Sequence, residues 1–124
     1  MFTKRVFGNV QRALRVAAVL LAVGLPLGLY IGGAQPVAVG LVPPPWDKLA
    51  HASVFALLAA CVGYGSGWRG RTMLLLAFGG ALAVGVADEW HQVALPGRSA
   101  GLDDLAADAV GAALGAWLVG RRTT

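Results

Sequence analysis

Cysteine and charge are both scarce in this sequence. The single cysteine, Cys61, excludes an internal disulfide, and its place in an apolar run favours a small buried hydrophobic side chain. Charged residues make up only 13% of the 124 residues, whereas roughly a quarter is typical of soluble domains. The sequence also has no glycine-rich phosphate loop, no CxxC or HExxH motif and no internal repeat. These absences argue against an ordinary soluble domain and against the phosphate and zinc sites that such motifs build.

The abundant residues are apolar ones and glycine. Hydrophobic residues make up 57% of the chain, which has 18 glycines and a mean hydropathy of +0.69. This composition is typical of closely packed membrane helices. We therefore expect a single all-α domain, residues 1–124, that forms an integral membrane bundle of four transmembrane helices. The expected spans are Ala13 to about Ile31, Lys48 to about Gly65, about Thr72 to Leu95, and Asp103 or Asp104 to about Gly120.

The segments outside these spans are short and carry basic or turn-forming residues. Residues 1–12 are predicted to form a short basic and polar N-terminus, and Pro26 is predicted to kink the first span. Residues 32–46 are rich in proline and glycine and predict an extended loop, with Trp46 as an aromatic anchor at the membrane interface. A secretory signal peptide is the rival interpretation of the first span, because small residues follow its apolar stretch.

Basic residues flank the spans in a regular way. They lie before or at the start of the first span, between the second and third, and after the fourth: Lys4, Arg5, Arg12, Arg15, Arg69, Arg71, Arg121 and Arg122. The positive-inside rule therefore predicts a multi-pass protein with both termini in the cytoplasm. The same rule accounts for the basic segments without a nucleic-acid partner. All six acidic residues and both histidines then belong to the outer half of the bundle.

Polar residues recur on one face of each of the last three spans. A helical step of about 100° per residue aligns Asp47 with His51 on the second span, and it groups Asp88, Glu89 and Gln92 on the third. Charged groups inside a membrane usually face the bundle interior or a water-filled cavity and pair with one another. The three spans therefore bring polar faces to a similar depth below the outer surface.

The fourth span carries acids together with a packing motif. Asp104 and Asp108 share a stripe with Gly111 and Gly115, a GxxxG pair that permits two helix backbones to approach closely. We therefore expect the fourth helix to pack through the face that carries its acids. The combined faces predict an outward-open polar pocket. Its expected ligand-binding residues are His51, Glu89, Gln92, Asp104 and Asp108, with Lys48 and Arg98 near the mouth.

Simpler structural interpretations compete with a pocket at several of these positions. Three carboxylates are also candidates for helix N-caps: Asp47, Asp103 and Asp104. Lys48 also has an interpretation as a snorkelling side chain, and His91, roughly opposite Glu89 on its helix, suits an interfacial role. Glu89 must be paired or neutral at its depth, and Arg98 is its natural cationic partner if the loop folds back. No catalytic residue, metal or cofactor is assigned by the sequence.

The ordered set of polar residues resembles a known family. Asp47-Lys48-x-x-His51, Glu89-x-x-Gln92, Pro96-x-Arg98 and Asp104-x-x-x-Asp108-x-x-Gly111-x-x-x-Gly115 together resemble the VanZ-like family of bacterial membrane proteins, over roughly residues 46–115. One departure is Asp108, where the family often has Asn, so this pocket is either more acidic or holds one protonated carboxyl. The resemblance implies a small polytopic protein of the bacterial cytoplasmic membrane. The founding member of the family is associated with resistance to the glycopeptide teicoplanin.

Three functions remain open at this point. The first is binding or remodelling of a cell-envelope amphiphile, such as a membrane phospholipid, a lipid-linked cell-wall intermediate or a lipoglycopeptide. The second is a membrane enzyme acting on a lipid-linked intermediate, with His51 and Glu89 as base and orienter, or with a divalent cation held by a cluster of His51, Glu89, Asp104 and Asp108. The third, a transporter or proton relay, is disfavoured because the inner halves of the spans carry few polar groups.

Overall fold

Four α-helices form a bundle in the computed structural model, which describes residues 1–97 and 101–123. The helices are α1 (Phe2–Gly33), α2 (Trp46–Ser66), α3 (Gly70–Val93) and α4 (Leu102–Thr123), and a 3₁₀ helix spans Pro36–Ala38. The described residues contain no β-strand, so the expected all-α class is confirmed. Among them, α1, α2 and α3 are long and apolar enough to cross a membrane, at 32, 21 and 24 residues.

The first helix is longer than the expected span. It begins at Phe2, so residues 1–12 are helical and the prediction of a separate polar N-terminus is wrong. No proline interrupts this stretch, and Gly8 is its only strong helix-disfavouring residue, so the helix continues through it. Pro26 lies within the same helix.

The expected helix caps are also wrong. α2 begins at Trp46 and has Pro45 at its N-cap, without a side-chain cap hydrogen bond, so Asp47 lies inside the first turn. α4 begins at Leu102, and Asp103 and Asp104 likewise lie in its first turn. The physical reason is that these carboxylates bind the ammonium group of Lys48. Acidic residues in a first turn still interact favourably with the helix dipole.

α2 and α4 pack with their backbones in close contact. A Cβ atom at Gly111 would overlap the carbonyl oxygen of Ala52, and one at Gly115 would overlap that of Ala56. The GxxxG expectation is therefore confirmed. The buried core beside this contact comprises Phe55, Leu58, Ala59, Met73, Ala77, Ala81, Ala112 and Ala116. Because so many of these side chains are alanine, the helices approach closely and the core stays thin.

The bundle has two chemically distinct ends. At the acidic end, α1 and α3 finish while α2 and α4 begin, and His91 stacks on Tyr30 with ring centroids 3.9 Å apart. At the basic end, the guanidinium of Arg15 lies 5.6 Å from the ring centroid of Tyr64, and Gly65 packs against Val19. α1 is thus attached to its neighbours near both ends.

Candidate functional site

Lys48 lies at the centre of a carboxylate cluster at the acidic end. Its Nζ atom is 2.6 Å from Asp47 Oδ2, 2.5 Å from Asp104 Oδ1 and 3.3 Å from Asp103 Oδ2. An ammonium group has three N–H donors, and each of them has a carboxylate here. Lys48 therefore ties α2 to α4 rather than snorkelling to solvent, and its charge is already compensated.

His51 is held by a buried carboxylate. Its Nδ1 lies 2.6 Å from Oδ1 of Asp108, whose side chain has no exposed surface. Gly85 makes room for this carboxylate, because a Cβ there would come within 3.0 Å of Asp108 Oδ2. A hydrogen bond at Nδ1 fixes the imidazole orientation and leaves Nε2 for another partner. The partner of His51 is thus Asp108, and not Glu89 as the sequence suggested.

The third helix contributes a second polar pair that the predicted site only half included. The Gln92 amide Nε2 donates to Asp88 Oδ2 at 3.1 Å, and the two side chains are 8% and 7% exposed. The sequence places Asp88 on the polar stripe of the third span, but the predicted ligand-binding residues do not include it. The signal that identifies it is its spacing, since residues four apart are neighbours on a helix.

Glu89 reaches toward the start of α4. Its Oε2 accepts a hydrogen bond of 2.9 Å from the backbone N–H of Gly101, while Oε1 is buried and has no partner among the described residues. Arg98, the expected partner of Glu89 and a predicted pocket residue, lies outside the described residues. The proposed Glu89–Arg98 ion pair therefore stays a prediction.

Two cavities lie between α1, α2, α3 and the loop before α2, and the first also touches the start of α4 at Asp104. Their volumes are about 410 and 350 Å³. Both are lined by Leu29, His51, Val54 and Gln92, so they are adjacent, and together we call them the groove. Its ionisable lining residues are Asp47, His51, Asp88 and Asp104. Of the predicted pocket residues, His51, Gln92 and Asp104 line the groove, whereas Lys48, Glu89 and Asp108 lie outside its lining.

The cluster proposed to hold a divalent cation is divided in the structure. Asp104 binds Lys48, Asp108 binds His51, and Glu89 binds the Gly101 amide. Within residues 1–97 and 101–123, no group of three or more His, Cys, Asp and Glu side chains is arranged to hold a metal ion.

These features define a class of protein: a small helical membrane protein with buried polar pairs at one end of its bundle. A family model described as VanZ/LLP1 matches residues 5–121, and the chain belongs to that family. The match extends beyond the motif-bearing region, because it includes nearly all of α1. No curated protein and no solved structure matches the chain.

Proposed function

We propose that this protein crosses the bacterial cytoplasmic membrane four times, with both termini in the cytoplasm, and binds a cell-envelope amphiphile in its outward-facing groove. The separation of charge along the bundle supports this orientation. Arg15, Arg69, Arg71 and Arg121 belong to the basic end, and every acidic residue belongs to the acidic end. Under the positive-inside rule, the basic end faces the cytoplasm.

The observation that carries the binding proposal is the mixed lining of the groove. Leu29, Val54 and Phe55 supply apolar surface, whereas His51 and Gln92 supply polar atoms beside it. Ligand sites typically combine a mostly apolar cavity of several hundred Å³ with a few convergent polar groups. A headgroup suits the polar pairs, and an alkyl chain suits the apolar wall.

Three ligand classes fit this description: a phospholipid, a lipid-linked cell-wall intermediate and a lipoglycopeptide. The family's association with teicoplanin suggests a role in antibiotic resistance. Such a role would follow from binding the lipoglycopeptide itself or an intermediate of the wall.

Retained lipids test the proposal directly. The protein is purified in mild detergent and bound lipids are identified by native mass spectrometry, for the wild type and for Gly28→Leu, whose new side chain would enter the groove. We expect the wild type to retain an amphiphile that Gly28→Leu lacks. Gly8→Leu, on the same helix but outside the groove and without neighbours, is the matched control. Identical lipid profiles for all three proteins would contradict the proposal.

A second candidate function is favoured by the pair of His51 and Asp108. A histidine whose Nδ1 binds a buried carboxylate presents Nε2 as a general base, and His51 lines the groove. In this alternative the protein is an enzyme that deprotonates a water or hydroxyl group attacking a lipid-linked envelope intermediate. Turnover abolished by His51→Ala in a folded protein would support an enzyme, whereas graded losses of affinity would support a binding protein.

A further inference from the structure

We infer that the groove selects amphiphiles whose headgroup carries a protonated amine, and that their alkyl chain lies along the glycines of α1. The inference rests on the proposed binding function and specifies the chemical class of its ligand. The position of the alkyl chain is argued from the glycines of α1, and the position of the amine from Asp88 on α3.

The place for the chain is made by missing side chains. Gly24, Gly28 and Gly33 line the second cavity opposite Val54, and a Cβ atom built on any of these glycines would meet nothing within 4 Å. These glycines therefore do not serve close helix packing, unlike those of α4. Gly24 and Gly33 are separated by about 14 Å along the helix.

The charge of the lining decides between headgroups. Of the three carboxylates that line the groove, Asp47 and Asp104 share the ammonium of Lys48, whereas Asp88 has no ion-pair partner among the described residues. The one imidazole of the lining, His51, is bound to Asp108. The ammonium of Lys48 is bound to carboxylates, so it is not available to a phosphate. A cleft lined by one sign of charge concentrates ligands of the opposite sign. The described lining therefore favours a cation over an anionic headgroup.

Asp88 is the specific site for the ammonium. Its side chain is 7% exposed, it accepts a hydrogen bond from the uncharged Gln92 amide, and no cationic group of the described residues forms an ion pair with it. Because a buried carboxylate is costly without a compensating charge, an ammonium at Asp88 would supply both the charge and a charge-assisted hydrogen bond.

Three amphiphiles with the same tail test this inference. Dodecylamine, dodecyl phosphate and dodecanol are titrated calorimetrically against protein in a neutral maltoside detergent at pH 7, where the amine is protonated. We expect the wild type to bind the amine on the order of tenfold more tightly than the phosphate. Asp88→Asn, which retains the shape and the Gln92 contact, should remove this preference. Asp103→Asn, whose side chain is 70% exposed and outside the groove, is the charge-matched control and should retain it.

A second variant supports the test if Asp88→Asn does not fold. Gln92→Lys places an ammonium beside Asp88 and should also remove the amine preference, as an internal competitor. Equal binding of all three amphiphiles, tighter binding of the phosphate, or an unchanged preference in a folded Asp88→Asn or Gln92→Lys protein would overturn the inference while leaving amphiphile binding intact. Failure of the folded wild type to bind any of the three would contradict both the inference and the proposed function.

Discussion

Asp108 is the most deeply buried ionisable residue of the described chain, and its contacts explain how the bundle tolerates it. One oxygen faces His51 at 2.6 Å, and Gly85 leaves space beside the other. A buried polar group costs little when it is hydrogen-bonded and much more when its partner is removed. His51 and Asp108 therefore form a hydrogen-bonded unit, in which each side chain gives the other a partner for a polar atom removed from water.

Replacing Asp108 separates the role of shape from the role of hydrogen bonding. Asp108→Leu leaves His51 Nδ1 without its acceptor and should destabilise the protein by about 1–3 kcal/mol. Asp108→Asn retains an acceptor of nearly the same size and should cost clearly less. Reversible unfolding of the two variants in mixed micelles measures the difference. Equal stability of both would show that His51 gains nothing from this hydrogen bond.

For individual residues, the sequence predicted which face of a helix they occupy but not which residues they contact. Helical spacing placed Asp88, Gln92 and Asp108 on interior-facing stripes, and all three are buried. The assignment of His51 to Asp108 rather than Glu89 depends on how α2 and α4 rotate against each other, and spacing along one helix does not determine that rotation. The sequence placed Lys48 near the pocket mouth, because only one of its three carboxylate partners, Asp47, is in its own segment and the other two come from α4.

Helix contacts were predictable wherever backbone approach requires glycine. The GxxxG spacing of Gly111 and Gly115 identified the packing face of α4 directly, since only a missing side chain admits the carbonyl groups of α2. The position of α1 was not predictable in this way. Val19 of α1 packs against Gly65 of α2, and Tyr30 stacks on His91, but no GxxxG spacing marks either contact.

Adding a methyl group should destabilise the protein at a glycine of the α2–α4 contact but not at an exposed glycine. Gly111→Ala forces α4 away from the Ala52 carbonyl and should destabilise the protein by about 1–3 kcal/mol, the usual cost of overpacking. Gly79→Ala, on an exposed part of α3 with no neighbour, should be neutral or stabilising by up to about 1 kcal/mol through helix propensity. Both values come from unfolding in mixed micelles. A neutral Gly111→Ala would mean that α2 and α4 are not in close contact.

The whole molecule is polarised, with carboxylates and histidines at one end and most basic residues at the other. This distribution could be seen in the sequence, because charge counts need no tertiary structure, and the positive-inside rule derives the proposed orientation from it. How the groove forms was not predictable, since its lining comes from four helices and a loop that carry no common motif.

Accessibility of introduced cysteines tests the orientation. In a Cys61→Ala background, Val37→Cys, whose parent side chain is 75% exposed, should react with a membrane-impermeant maleimide in intact cells. Thr3→Cys at the start of α1 should react only after the cells are lysed. Labelling of Thr3→Cys in intact cells would place the N-terminus outside and contradict the proposed topology.

The groove-lining glycines of α1 affect the volume of the groove but not the packing between helices. Gly24 and Gly28 contact no neighbouring side chain, so substituents at these two positions would shorten or narrow the groove without disturbing the α2–α4 interface. In the proposed binding function, substitutions at these two positions would therefore change the size of the accepted ligand with little cost to the stability of the bundle.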